Sequence, residues 1–165
     1  MQTIVRIEEP GDEAGIRAVE RAAFGREAEA DLVDVVRDVG AALLSLVAVE
    51  LGEIVGHVLF TPVAVGQGAA VGLGPLAVLP AHQGRGIGSA LVREGLTKLR
   101  AAGHGAVIVV GDARYYRRFG FMPASRFGVR WDRPIADEVF MALELRAQAL
   151  REGGTVHYHS VFDRV

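Results

Sequence analysis

The chain has 165 residues, the size of one ordinary domain, with half of them hydrophobic and 23% charged, a balance that excludes disordered and fibrous classes. Its formal net charge of −2 gives no general attraction to nucleic acid or to an anionic membrane surface. The absence of cysteine excludes a disulfide framework, a thiolate metal site and any relay that would carry an acyl group on sulfur.

In chain order, Thr3 to Glu8 reads as a strand and Pro10-Gly11-Asp12 opens a helix to about Phe24. A second helix is expected from about Glu27 to Asp38, with Ala28, Leu32, Val35 and Val36 on its apolar face and Glu29, Asp31 and Asp34 on a wetted one. Leu44 to Leu51 and Ile54 to Val65 flank Gly52-Glu53, a tight hairpin turn, and Gln67-Gly68 separates a fourth strand, Val71 to Leu79. A helix runs from Ser89 to Ala102, with Ile87, Leu91, Leu96 and Leu99 near one-turn spacing and Gly103 placed to end it. Strand Ala106 to Val110, a short helix Ala113 to Phe119, a strand Val139 to Arg146 and an edge strand Gly154 to His159 complete a mixed α/β chain. With no repeat and no Pro- or Ser-rich linker, one domain over residues 1–165 is expected. The amino terminus lacks the features of a signal peptide and no stretch is long and apolar enough to span a bilayer, so a cytoplasmic location is expected.

The chemistry concentrates between the fourth strand and its following helix, in Gln83-Gly84-Arg85-Gly86-Ile87-Gly88. Glycines at 84, 86 and 88 let the backbone approach a ligand, and the first N–H groups of the helix, Ile87, Gly88 and Ser89, have no partner within it. Those donors and the positive helix end favour a phosphate or pyrophosphate, to which Gln83 and Arg85 can add side-chain donors. The dinucleotide fingerprint G-x-G-x-x-G fails in both registers, because Ser89 and Leu91 stand where its last glycine would be. The phosphate loop of nucleotide hydrolases fails too, since the one lysine is Lys98, deep in the helix.

What the loop does match is Q/R-x-x-G-x-G/A, met by Gln83, Gly86 and Gly88 after a strand holding Leu76-Ala77-Val78. Downstream, Tyr116-Arg117-Arg118-Phe119-Gly120-Phe121 matches Y-x-x-x-G-F after the apolar strand Ala106 to Val110. On these two blocks the chain resembles the GNAT superfamily of N-acetyltransferases, most of all its bacterial YhbS-like members. The resemblance implies an α/β fold whose mixed central sheet has parallel strands 4 and 5 splayed apart and helices flanking it. It also implies acetyl-CoA as co-substrate and an amine acceptor, with no metal, nucleic acid or membrane partner. In that reading the pantetheine arm pairs with the backbone of Leu76, Ala77 and Val78, near a break at Gly74-Pro75, and the glycine loop takes the pyrophosphate. Phe119 is implied as a further cofactor contact.

Acetyl transfer requires an uncharged amine, a stabilised oxyanion and a proton for the departing thiolate. The N–H of Val78 is the candidate oxyanion donor and Tyr116 the candidate general acid. The general base is open: many relatives carry a glutamate on the fourth strand, where this chain has Val71-Gly72-Leu73-Gly74, leaving Glu27, Glu29, Asp112, His57 or a water chain. That missing carboxylate motivates an alternative, a catalytically inactive acyl-CoA-binding sensor. His157-x-His159 has no third ligand nearby for a metal, and Trp131 within Phe127 to Pro134 reads as packing or the rim of the acceptor site. The edge strands and the tail over residues 147–165 are surfaces a homodimer would use, while the acceptor itself is not legible.

Overall fold

The computed structural model describes residues 2–164. Contacts group the chain into two compact units: the chain up to Phe60, Pro75–Gly95 and the segment from Ser160 onward form one, and Thr61–Gly74 with Leu96–His159 the other. The first contains β1 (Ile4–Ile7), α1 (Glu13–Phe24), α2 (Ala28–Asp38) and β2 (Leu44–Glu50). Three elements, β3 (Glu53–Val65), β4 (Gly68–Val78) and α3 (Ile87–Ala101), have residues in both units.

In the first unit β1, β2 and the first half of β3 form an antiparallel ladder, with Ile4 opposite Val49 and Leu44 opposite Phe60. The β2–β3 turn is Leu51-Gly52, one residue earlier than expected, with φ of 49° and 78° at the two positions. Two left-handed residues give the primed turn whose twist suits a two-residue hairpin. Helices α1 and α2 cover this sheet through Ile16, Val33, Val36, Val47 and Leu59, each buried side chain contributing roughly 1.5–3 kcal/mol relative to exposure. The buried face of α2 is Ala30, Val33 and Val36, whereas Leu32 and Val35 pack only at its margin and Ala28 is not among its buried residues. The difference is a rotation of the stripe by part of a turn, set by where the sheet lies. Val161, in the C-terminal 3-10 turn Ser160–Arg164, joins the same cluster at 1% exposure.

The second unit holds the crossover strands. β4 pairs in parallel with β5 (Ala106–Val110), Val71 to Leu73 facing Val107 to Val109. β8 (Phe140–Glu144) runs antiparallel to β5 and carries the two-residue β6 (Met122–Pro123) on its other side. β9 (Gly154–Tyr158) pairs with the end of β3 and, in parallel, with β7 (Val129–Trp131). β6 and β7 are too short to show a period in the sequence, and Trp131 on β7 is a packing residue, stacked 6.0 Å from Phe140 at 16°. The helix expected from Ala113 to Phe119 is one α-turn, α4 (Ala113–Tyr116), continued as a 3-10 turn over Arg117–Phe119. Among the described residues no helix is long and apolar enough to cross a membrane.

Candidate functional site

The loop between β4 and α3 is built by local chemistry. Pro80 opens a 3-10 turn, Pro80–His82, and the Gln83 amide donates to the Val78 carbonyl at 3.0 Å, closing the segment on itself. Gly84 and Gly86 follow at φ 76° and 84°, and a β-carbon at either would meet nothing within 4 Å. The demand for glycine is therefore conformational and leaves space above the loop open. α3 then begins at Ile87, which is 4% exposed and roots the helix in the core. Its first hydrogen bond is Ala90 N–H to the Gly86 carbonyl at 3.0 Å, which leaves the amides of Ile87, Gly88 and Ser89 facing out of the helix end. No acidic residue occupies its first turn, so the positive end of the helix is unopposed there. The Arg85 guanidinium, expected as an extra phosphate donor, has its Nη2 on the Glu50 carboxylate at 3.1 Å.

Upstream, the parallel ladder to β5 ends at Leu73, and Gly74 follows at φ 141°. This is the break expected at Gly74-Pro75. Beyond it Ala77 is buried while Leu76 and Val78 are half-buried, and Leu79 N–H donates to the Val55 carbonyl at 2.9 Å.

In the second unit, Tyr116 ends α4. Asp112 caps this turn, its side chain accepting from Arg114 N–H at 2.8 Å and its carbonyl from Tyr116 N–H at 3.0 Å. The Tyr116 ring is 8% exposed and makes edge contacts with Tyr115 at 5.1 Å and Phe121 at 5.7 Å, with Phe119 6.3 Å away. Burial pushes its phenol well above the ordinary tyrosine pKa of 10.0. A group so placed keeps its proton throughout the physiological range.

A family profile described as Acetyltransferase (GNAT) family matches residues 14–121. The chain belongs to this family. It is 40% identical to the uncharacterized N-acetyltransferase YhbS of Escherichia coli K12, over 98% of this chain and 99% of that one. Crystal structures agree: E. coli YhbS in complex with CoA has TM-score 0.95 and 38% identity, covering 99% of this chain and 93% of the other. A GNAT acetyltransferase of Brucella melitensis in complex with acetyl-CoA has TM-score 0.84 and 40% identity, covering 98% and 99%. The GNAT fold, α/β with a mixed sheet and the parallel β4–β5 pair, is thus the fold the two sequence blocks implied.

Within this GNAT chain the candidate bases have other partners. Glu27 is held by Arg17 at 2.9 Å and Arg21 at 2.7 Å, and Glu29 by Arg26 at 2.5 Å. Asp112 is the α4 cap just described. His57 is 0% exposed, with Nδ1 2.7 Å from Glu20 Oε2 and Nε2 2.9 Å from Ser45 Oγ. Ser45 donates its hydroxyl proton to Glu8 Oε1 at 2.6 Å, so it accepts from His57 Nε2–H. The Glu20–His57 contact therefore contains one proton, carried on Nδ1 or on Oε2. Glu20 is fully buried, and burial raises its pKa, with nearby Glu29 adding to the shift. Sequence reading passed over Glu20; the available signal was an acid beside Ile16 and Val19 on the inner stripe of α1. Among the described residues no group of three or more His, Cys, Asp or Glu converges. His157 is exposed on β9 and His159 lies just past its end.

Proposed function

We propose that this protein is a single-domain, cytoplasmic, acetyl-CoA-dependent N-acetyltransferase in which a primary amine attacks the thioester directly. The observation that carries the reading is the β4–α3 loop: two left-handed glycines with open space above them and three amides presented at an unopposed helix start. That arrangement suits the pyrophosphate of coenzyme A, and the relatives crystallised with CoA and with acetyl-CoA support it. The family profile runs through both compact units, which supports one catalytic domain.

In the reaction we envisage, pantetheine amides pair with the backbone of Leu76 to Val78 past the Gly74 break. The amine nitrogen forms a bond to the thioester carbonyl carbon, and the oxyanion accepts from the Val78 N–H. Collapse breaks the carbon–sulfur bond, and the leaving thiolate takes the phenolic proton of Tyr116, which solvent then restores. Because Glu27 and Glu29 are ion-paired, Asp112 is a cap and His57 is enclosed, water is favoured as the first carrier of the amine's proton.

A free-thiol release assay with acetyl-CoA and a panel of primary amines tests this. Release with at least one amine, together with thermal stabilisation by CoA, is expected. Stronger stabilisation by NAD or ATP than by CoA would overturn the donor assignment, and tight CoA binding without turnover on any amine would favour the sensor.

A further inference from the structure

Glu50 is an acid buried beside a loop that we read as an anion cradle. It ends β2, and its side chain is 2% exposed. Its carboxylate accepts from Thr3 Oγ1 and from Arg85 Nη2, with oxygens 3.1 and 3.4 Å from that nitrogen, and His82 Nε2 is 3.6 Å away. The Thr3 hydroxyl, then the charges of Arg85 and His82, hold its carboxyl below the ordinary range, so it is an anion at neutral pH. Two of these partners, His82 and Arg85, belong to the segment that joins β4 to α3.

That segment cannot hold its shape by sterics alone. Arg85 stands between two left-handed glycines, at either of which an added β-carbon would meet nothing within 4 Å, so no side-chain packing holds the backbone there. Its fixed points are the Gln83 amide on the Val78 carbonyl, the Ala90 N–H on the Gly86 carbonyl, Ile87 in the core, and the Arg85–Glu50 pair between Gln83 and Gly86 along the chain. The Arg85 Nη2 rests on a protein carboxylate, so part of this guanidinium already serves the fold.

We propose that Glu50 is a positioning residue for the cofactor loop. Through Arg85 it fixes the backbone from Gly84 to Gly86, so that the first amides of α3 point at the ligand position before any ligand arrives. Arg85 then acts on the cofactor through the backbone it holds. The inference rests on the acetyl-CoA reading of the loop, and its gain is preorganisation: a loop already ordered has less freedom to lose on binding.

The opposite assignment makes Arg85 a phosphate ligand and Glu50 its competitor, and the two differ in sign. Glu50→Gln and Arg85→Gln are compared with the double variant by titration calorimetry with CoA, by acetyl-CoA kinetics on the best amine, and by hydrogen exchange of the loop amides in the free protein. As a positioning pair, both single variants weaken CoA by about tenfold, the double is no weaker than either single, and the kinetic loss falls on KM for acetyl-CoA. Exchange at residues 84–88 rises in the free variants, a readout independent of cofactor. Glu50→Asp recovers part of the lost affinity if it still reaches Arg85. The proposal is overturned if Glu50→Gln binds CoA as tightly as the parent or tighter, if the two losses add, or if loop exchange is unchanged. Should Glu50→Gln not fold, exchange in Arg85→Gln decides alone, because a pure phosphate ligand leaves the free loop as it was. A parent protein that ignores CoA while its variants still show faster loop exchange would refute the functional reading and leave the anchor standing.

Discussion

Replacing Glu20 by methionine tests the buried pair at its least forgiving point. The substitution conserves volume but removes the partner of His57 Nδ1 in a site where both side chains are 0% exposed. An unpaired polar nitrogen in the core costs about 1–3 kcal/mol and breaking a buried pair about 3–5, so about 3 kcal/mol is expected. At roughly 2–4 °C per kcal/mol for a chain of this size, Tm should fall by about 6–12 °C. Glu20→Gln places an N–H donor where the shared proton lies and should stay within about 1 kcal/mol of the parent. Glu20→Met/His57→Leu, which removes both polar partners, should be more stable than Glu20→Met alone. Calorimetry and urea unfolding read all three, and equal losses in the Met and Gln variants would refute the single-proton account. The pH dependence supplies a sign. Because burial raises the Glu20 pKa above its ordinary 4.5, the folded state holds this proton more tightly than the unfolded chain. The resulting stability is complete below pH 4.5 and is lost as pH climbs through the raised folded-state value. The parent should therefore lose ground to Glu20→Gln over that interval, and a difference that grows in the parent's favour would contradict the assignment.

Other expectations follow from single positions. Tyr116→Phe should lower kcat for acetyl transfer by roughly a hundredfold or more at unchanged CoA affinity, measured by thiol release and calorimetry. Gly86→Ala, forced to hold φ 84° with no clash to blame, should weaken CoA binding by roughly tenfold, from about 1–2 kcal/mol of backbone strain. Leu51→Asn should raise stability by about 0.5–1 kcal/mol in urea melts without touching catalysis, since Leu51 is 83% exposed and strained at φ 49°.

What the sequence made legible was local. The strand Ala106 to Val110, the glycine loop and the helix after it are written in consecutive residues whose period and punctuation need no distant partner. Tyr116 is proposed from its spacing to Gly120-Phe121, again a short-range signal. What escaped was long-range. Glu20 carries no local sign of the His57 that β3 brings to it, nor Arg85 of the Glu50 that β2 brings. The stripe of α2 was misplaced for the same reason, because apolar residues occupy several of its faces and only the sheet beneath selects Ala30, Val33 and Val36.

Val161 has a consequence for how the molecule is made. It lies in the last turn of the chain yet completes the apolar cluster of α1, α2 and the first strands. During synthesis those early elements emerge long before Val161 does, so the cluster they form has an open site until residue 161 joins it. Consolidation of the first unit therefore waits on Val161, and a chain truncated just before Ser160 should be more open to protease than the parent.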